Sequence, residues 1–342
     1  MGRINDIAAR AGVSRKTVSR MIHGHPNISD RMRKRIETAM AELGYAQSAD
    51  SPDVIPTHGN PGIGVLFGDP DAGYQVSLYQ ALLNACQERS RYLVVEAFDE
   101  TSAEWARQVE GFLDRSGVTR LILVPPLCDS YEIQALVKAR GIRSALISPS
   151  RPVSGMQSLA MDDRHAAMEM TQHLLDLGHR RIGFVAGRSG HVATLLRRQG
   201  FEEAYAMRGL ALPDESLTVT ADFSFKTAMQ QARKLLDRRD RPTAIFASND
   251  EMAAAVILLA KSLGLSVPGD VSVAGFDDSQ ISQTVWPELT TIAQPYDVMA
   301  RVALDQVLST EGDNEASGIT VIPHNLIVRD STKPVLHADA AE

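Results

Sequence analysis

The sequence predicts two parts of different class: an all-α helix-turn-helix head and an α/β body of two lobes with parallel sheets. Three observations predict it. Helix-period apolar stripes with stop signals between them fill residues 1–45. From residue 62 onward, apolar runs of five to seven residues alternate with amphipathic stretches, the signature of parallel strands covered on both faces. Charge divides at the same place: residues 1–45 carry nine basic and four acidic side chains, a net of +5, which leaves −12 on the other 297 residues of a 342-residue chain of formal charge −7. A small basic head on an acidic body points the head at a polyanion. Hydrophobic residues at 44% and charged residues at 23% exclude a disordered chain.

The head reads as three helices. Ile4, Ile7, Ala8 and Ala11 form the stripe of a first helix, and Gly12 follows where a left-handed residue ends it. Ser14 offers an N-cap for a second helix reaching about Ile22, so a short glycine-containing turn joins the pair as in a helix-turn-helix. A third opens at Ser29, shows Met32, Ile36, Met40 and Leu43 on one side, and stops at Gly44. On the second helix Val18 and Met21 point inward, while Arg15, Lys16, Ser19 and Arg20 share the opposite face. Cationic donors on such a face suit guanine O6 and N7 in a major groove, with the N-terminal pair Arg15 and Lys16 nearest the base edges. Arg3, His23, Ser29, Arg31 and Arg33 are placed for phosphates.

In the body, strands are expected at 62–67, 92–98, 120–126, 144–148, 181–187, 216–221, 243–248, 271–276 and 290–294. Helices are expected at 74–90, 103–116, 130–140, 163–177, 192–208, 225–238 and 250–263. The series restarts near Asp162, which gives one lobe at about 62–160 and 290–330 and another at about 161–289. Residues 46–61, with their prolines, read as a linker, so the domains are 1–45, 46–61 and 62–335. Ligands of open α/β sheets sit beyond the carboxyl ends of the strands. That rule selects Asp69, Pro125-Pro126, Asn249-Asp250 and Asp277-Asp278; Phe223 follows a strand end, and Arg197 falls in the first turns of a helix after the Gly-rich loop that follows RIGFVAG. Each has a plainer role open to it: Asn249 or Asp250 as a helix cap, Asp277 holding its loop, Arg197 as a surface charge, Phe223 and Trp286 as core.

INDIAARAGVSRKTVSRMIHG followed by ISDRMRKRIETAMAELGY resembles the headpiece of the LacI/GalR family of transcriptional regulators. DDRHAAMEMTQHLLDLGHRRIGFVAG, RPTAIFASNDEMAA and VPGDVSVAGFDDSQISQTVWPELTTIAQP are similar to that family's effector domain, so the resemblance runs through nearly all of residues 3–330. It implies a periplasmic-binding-protein-like pair of lobes with an effector cleft between them. By it, Arg197, Asn249 and Asp277 match positions that hydrogen-bond effector hydroxyls, Phe223 matches an aromatic that packs on the effector, and Asp69, Tyr74 and Gln294 lie in lining segments. The linker departs from the family's pattern. Gln47 and Ser48 replace Pro-Asn, Asp50 and Asp53 add negative charge, Pro56 limits any helix begun at Pro52, and Val54 stands about where a leucine wedges the minor groove.

Carboxylate, amide and guanidinium groups with an aromatic face suit a polyhydroxylated molecule, so the expected effector is a sugar or sugar derivative. The expected partners are a double-stranded DNA operator, that effector and a second copy of the chain. No leucine heptads follow Arg329, which favours a homodimer. No catalytic residue, cofactor or metal is expected. Gly62–Gly64 lies inside a strand, no G-x-S-x-G occurs, and the nine histidines lack metal-ligand spacing. His179 and Asp162-Asp163 read as helix-end groups. Cys86 and Cys128 are too few for a disulfide framework, and no apolar run spans a membrane or forms a leader, so a cytoplasmic protein is expected. The reading is a sequence-specific regulator, a repressor of carbohydrate genes. Its alternatives are a sugar sensor without specific DNA binding and a sugar-acting enzyme.

Overall fold

The computed structural model describes residues 3–22, 29–42, 62–68, 73–98, 104–309 and 318–335. The chain divides into two compact units, Met1–Ile55 and Pro56–Glu342. The first contains α1 (Arg3–Ala11), α2 (Arg15–Ile22) and α3 (Asp30–Glu42). Gly12 ends α1 at φ +64° and Val13 N–H bonds Ala8 O, the left-handed stop its sequence announces. Ser14 Oγ accepts from Thr17 N at 3.1 Å and caps α2. The core comprises Ile7, Ala8, Ala11, Val18, Met21, Ile36, Ala39 and Met40. Met32, expected on that stripe, is exposed, and Ala39 fills the interior instead. The expected stop at Gly44, the linker and Val54 lie outside the described residues.

The second unit begins with β1 (Ile63–Phe67), α4 (Gly73–Glu88), β2 (Leu93–Ala97), α5 (Trp105–Ser116), β3 (Arg120–Leu123), α6 (Tyr131–Ala139), β4 (Arg143–Ile147) and β5 (Gln157–Met161). It continues with α7 (Asp163–Asp176), β6 (Ile182–Ala186), α8 (Val192–Met207), β7 (Thr218–Thr220), α9 (Phe225–Leu236), β8 (Ala244–Ala247), α10 (Asp250–Ser262) and β9 (Ser272–Ala274). Then follow α11 (Gln280–Thr284), β10 (Thr291–Ala293), α12 (Tyr296–Leu308), β11 (Ile319–Ile322) and β12 (Asn325–Ile327).

One sheet runs β11-β5-β4-β3-β1-β2, wholly parallel, and a second runs β7-β6-β8-β9, also parallel. Alternation along β1 explains why both faces are covered. Ile63, Val65 and Phe67 pack toward α4 and α12, while Leu66 joins Leu121, Leu123 and the residues of α5 and α6. In the second sheet α7 and α8 cover one face and α9 and α10 the other. Gly200 lets α8 approach α7 closely, since a Cβ there would stand 2.0 Å from Arg164 O.

The return of the chain differs from the sequence expectation. β5, unforeseen, completes the first sheet before the series restarts. Thr290–Ala293 stays with the second lobe: Gly275 and Asp277 amides donate to Thr290 O and Ile292 O, which sets β10 beside β9. The crossing back is made by α12, also unforeseen, on β3, β4 and β5. β11 then enters the first sheet, and β12 goes back to pair with β10 antiparallel. Residues 324–335 therefore belong with the second lobe, where His179 Nε2 donates to Lys333 O at 3.1 Å and Nδ1 meets Thr243 Oγ1 at 2.9 Å. The lobes are joined by three crossovers, at β5–α7, β10–α12 and β11–β12.

Candidate functional site

Strand ends and helix starts of the two lobes converge on one buried polar cluster. Arg197, in the second turn of α8, is 5% exposed. Its Nε donates to Asp163 Oδ1 at 2.7 Å, its Nη1 donates to Ser248 O at 2.5 Å, and its Nη2 stands 3.5 Å from Asp277 Oδ1. The guanidinium carbon lies 3.7 Å above the Phe276 ring, a cation–π contact between two buried side chains. Both carboxylates are buried, so each relies on this one cation. Arg197 is thus no surface charge; its neighbour Arg198 takes that role, paired with Glu202 and Glu215.

Asp277 and Asp278 follow β9 with φ of 111° and 52°, a bend that turns the Asp277 carboxylate inward. Gln294, just past β10, donates to Asp277 Oδ1 at 2.7 Å. Burial pushes the Asp277 carboxyl up to about 7, with Arg197 opposing and Glu251 adding to the shift. Asp250 is fully buried and held well above the usual carboxylate range by the same loss of water. It accepts from Ser279 N and Thr291 Oγ1. Glu251 is also raised by burial.

Asn249 caps α10, its Oδ1 accepting from Met252 N at 3.0 Å, while Nδ2 donates to Phe223 O and Glu251 Oε2. The cap and the site are one group. Phe223, at φ 67°, is half-buried with its ring edge-on to His191 at 5.3 Å. Burial and the nearby Arg197 and Arg188 lower the pKa of His191 and favour a neutral imidazole. From the first lobe α4 brings Tyr74, whose ring lies 5.8 Å from that of Tyr296 at the start of α12. Asp69 lies outside the described residues, and Trp286, a candidate for the core, is 79% exposed.

The structure therefore brings Arg197, Asp277, Gln294, Asn249, Phe223 and Tyr74 into one region. It adds Asp163, Glu251, His191 and Tyr296, which sequence reasoning did not select. Asp162 and Asp163 divide their work: Asp162 Oδ1 accepts from His165 N and caps α7, while Asp163 pairs with Arg197. Among the described residues, the buried hydroxyls of Tyr74, Ser248 and Tyr296 in this region, and of Thr194 in the first turn of α8, have no hydrogen-bond partner. Buried polar groups rarely stay unmatched, so these mark where a polar ligand would be received.

In the head, Arg15 and Lys16 are exposed at the start of α2, opposite buried Val18 and Met21. Exposed Arg31, Arg33, Lys34 and Arg35 add charge along α3. Ser29 is exposed just before α3 and its carbonyl accepts from Met32 N and Arg33 N. The side chains of Arg3, Ser19 and Arg20, and His23 entirely, lie outside the described residues.

Residues 3–48 match the family described as bacterial regulatory proteins, lacI family, and residues 171–332 match a periplasmic binding protein-like domain. The chain is 31% identical over 349 residues to the HTH-type transcriptional regulator DegA of Bacillus subtilis (strain 168), covering 97% of this chain and 98% of that one. It is 30% identical over 311 residues to the ribose operon repressor of Escherichia coli (strain K12), covering 90% and 92%. Its structure is similar to that of the lac repressor dimer bound to operator and the anti-inducer ONPF, with a TM-score of 0.70, 25% identity, and 97% and 99% of the two chains covered.

Proposed function

Since the chain belongs to the lacI family of bacterial regulatory proteins, we propose that it represses carbohydrate genes from a DNA operator, and that a sugar or sugar derivative controls it through the Arg197–Asp277 cleft. The observation that carries the effector half is the buried Arg197, Asp163 and Asp277 set beside the unpartnered Tyr74, Ser248 and Tyr296 hydroxyls. Sugar hydroxyls both donate and accept, and they would complete those groups. Arg197, Asn249, Asp277 and Gln294 are the polar contacts, with Phe223 and Tyr74 as aromatic walls; Asp69 completes the lining. Arg15 and Lys16, with Ser19 and Arg20, read base edges, and Arg3, His23 and Ser29 hold phosphates. Val54 is the linker's contact with the minor groove.

Repression and effector binding are linked as a coupling free energy between two sites, reciprocal by thermodynamic necessity. The protein acts as a homodimer in the bacterial cytoplasm, where the operator is, and it carries out no catalysis. No described helix is long and apolar enough to cross a membrane. The test joins the two halves. A thermal-shift screen of sugars identifies a stabilising ligand, and a gel shift on the protein's own upstream region is then run with and without it at several salt concentrations. Selective binding that the ligand changes is the expected result. Equal grip on cognate and random duplexes would overturn the DNA half, and a hit that Arg197→Ala binds unchanged would overturn the assigned cleft.

A further inference from the structure

Away from the cleft, the β11–β12 crossover meets the first turns of α7. His165 and Glu169 are four residues apart, so α7 presents them on one side. His324, 155 residues further on, lies in the crossover with its side chain 8% exposed and its Nε2 donating to Glu169 Oε2 at 2.9 Å. The His165 ring lies against that of His324, centroids 5.4 Å apart and tilted by 60°. One ligand atom from each of the three residues falls within 4.8 Å of the other two.

The His324–Glu169 hydrogen bond accounts for two of these residues and leaves the approach of a second imidazole unexplained. We propose that His165, Glu169 and His324 form a binding site for a first-row divalent cation, with Zn2+ the best fit. Two imidazoles and one carboxylate are a recognised zinc ligand set, with water in the fourth position. Bonds of about 2.0–2.1 Å in a tetrahedron separate donors by about 3.4 Å, so the donors must close by roughly 1.4 Å at most. The exposed His165 ring supplies that movement, because the surface does not pin it. His324, held deep, is the fixed side of the site. The cation takes the place of the Nε2 proton now shared with Glu169, so His324 binds it as the tautomer that carries its proton on Nδ1. Arg164 does not oppose it as a free charge, being paired with Glu203 at 3.1 Å.

The test uses the full chain, stripped with chelator and titrated with zinc chloride in a calorimeter. One equivalent per chain is expected, together with a rise in melting temperature. His324→Gln and Glu169→Gln should each weaken binding tenfold or more. His165→Gln, at an exposed position that leaves the fold intact, should do the same and abolish the zinc-induced thermal shift. Replacement of zinc by Co2+ should give the intense visible bands of a four-coordinate site in the unaltered chain and not in His165→Gln. Uptake of zinc with equal affinity by all three variants would place the cation elsewhere and overturn the proposal, as would no binding at about 100 µM zinc.

Discussion

Arg197 holds two buried carboxylates, and that burden sets what its removal does. Arg197→Ala leaves Asp163 and Asp277 facing each other without a cation, a loss of about 3–5 kcal/mol for a broken buried pair. Urea denaturation should show that loss, alongside abolished ligand response. Asp277→Asn keeps the shape and the Gln294 contact, and should lose ligand response at far smaller cost. Asp277 also makes stability depend on pH. Its carboxyl sits at about 7 in the folded chain against about 4 in the unfolded one, so the folded state holds the extra proton between those values. The contribution is fully present below pH 4 and is lost as pH rises through 7. The urea midpoint without ligand should therefore fall from pH 5 to pH 8, and Asp277→Asn should flatten that slope. Buried Asp250 and Glu251, raised in the same direction, leave a residual slope. Buried His191, lowered by burial, gives a slope of opposite sign, so the readout is the difference between the two chains: equal slopes in the unaltered chain and Asp277→Asn would show that Asp277 is ionised throughout.

At the scale of elements, α2 is eight residues long, capped by Ser14 and pinned by Val18 and Met21, with Arg15 and Lys16 projecting from its first turn. Each base-edge contact is worth about 1–3 kcal/mol of discrimination. Arg15→Ala with Lys16→Ala should therefore reduce preference for operator over random duplex by two orders of magnitude or more, in a gel shift at fixed salt, with ligand binding unchanged. Unaltered selectivity would move recognition off this helix. The elements legible in the chain are those whose pattern is local. Gly12 and Ser14 mark their turn by residue type alone, and the strands from β1 to β4 announce themselves as apolar runs. β5 escaped because QSLAM mixes polar and apolar residues and leads straight into a capped helix, so its identity comes from pairing with β4 and β11. Asn249 and Asp277 were legible as strand-end groups, and Arg197 by its place in the first turns of the helix after β6. Asp163 was hidden because its partner is 34 residues away, and a second aspartate beside it offered the simpler role of a cap.

At the scale of the whole molecule, the body exposes apolar groups that a lone chain does not need. On the first lobe they are Val76 of α4 with Tyr92 and Val95 around β2; on the second, Leu258 of α10 and Trp286 after α11. These faces suit an isologous dimer, in which each patch meets its own copy. With base reading proposed for α2 alone, a single half-site should bind weakly. Joining two heads makes the second contact intramolecular and multiplies affinity by about 10²–10⁴. Trp286, 79% exposed, can change without disturbing any core. Trp286→Glu with Leu258→Glu should therefore give monomers in sedimentation velocity and lower operator affinity at least tenfold. Sugar affinity should stay unchanged, because Arg197, Asn249, Asp277 and Gln294 all belong to the same chain. Monomers with full operator affinity would mean that one head suffices, and an intact dimer would assign the interface to the first lobe alone.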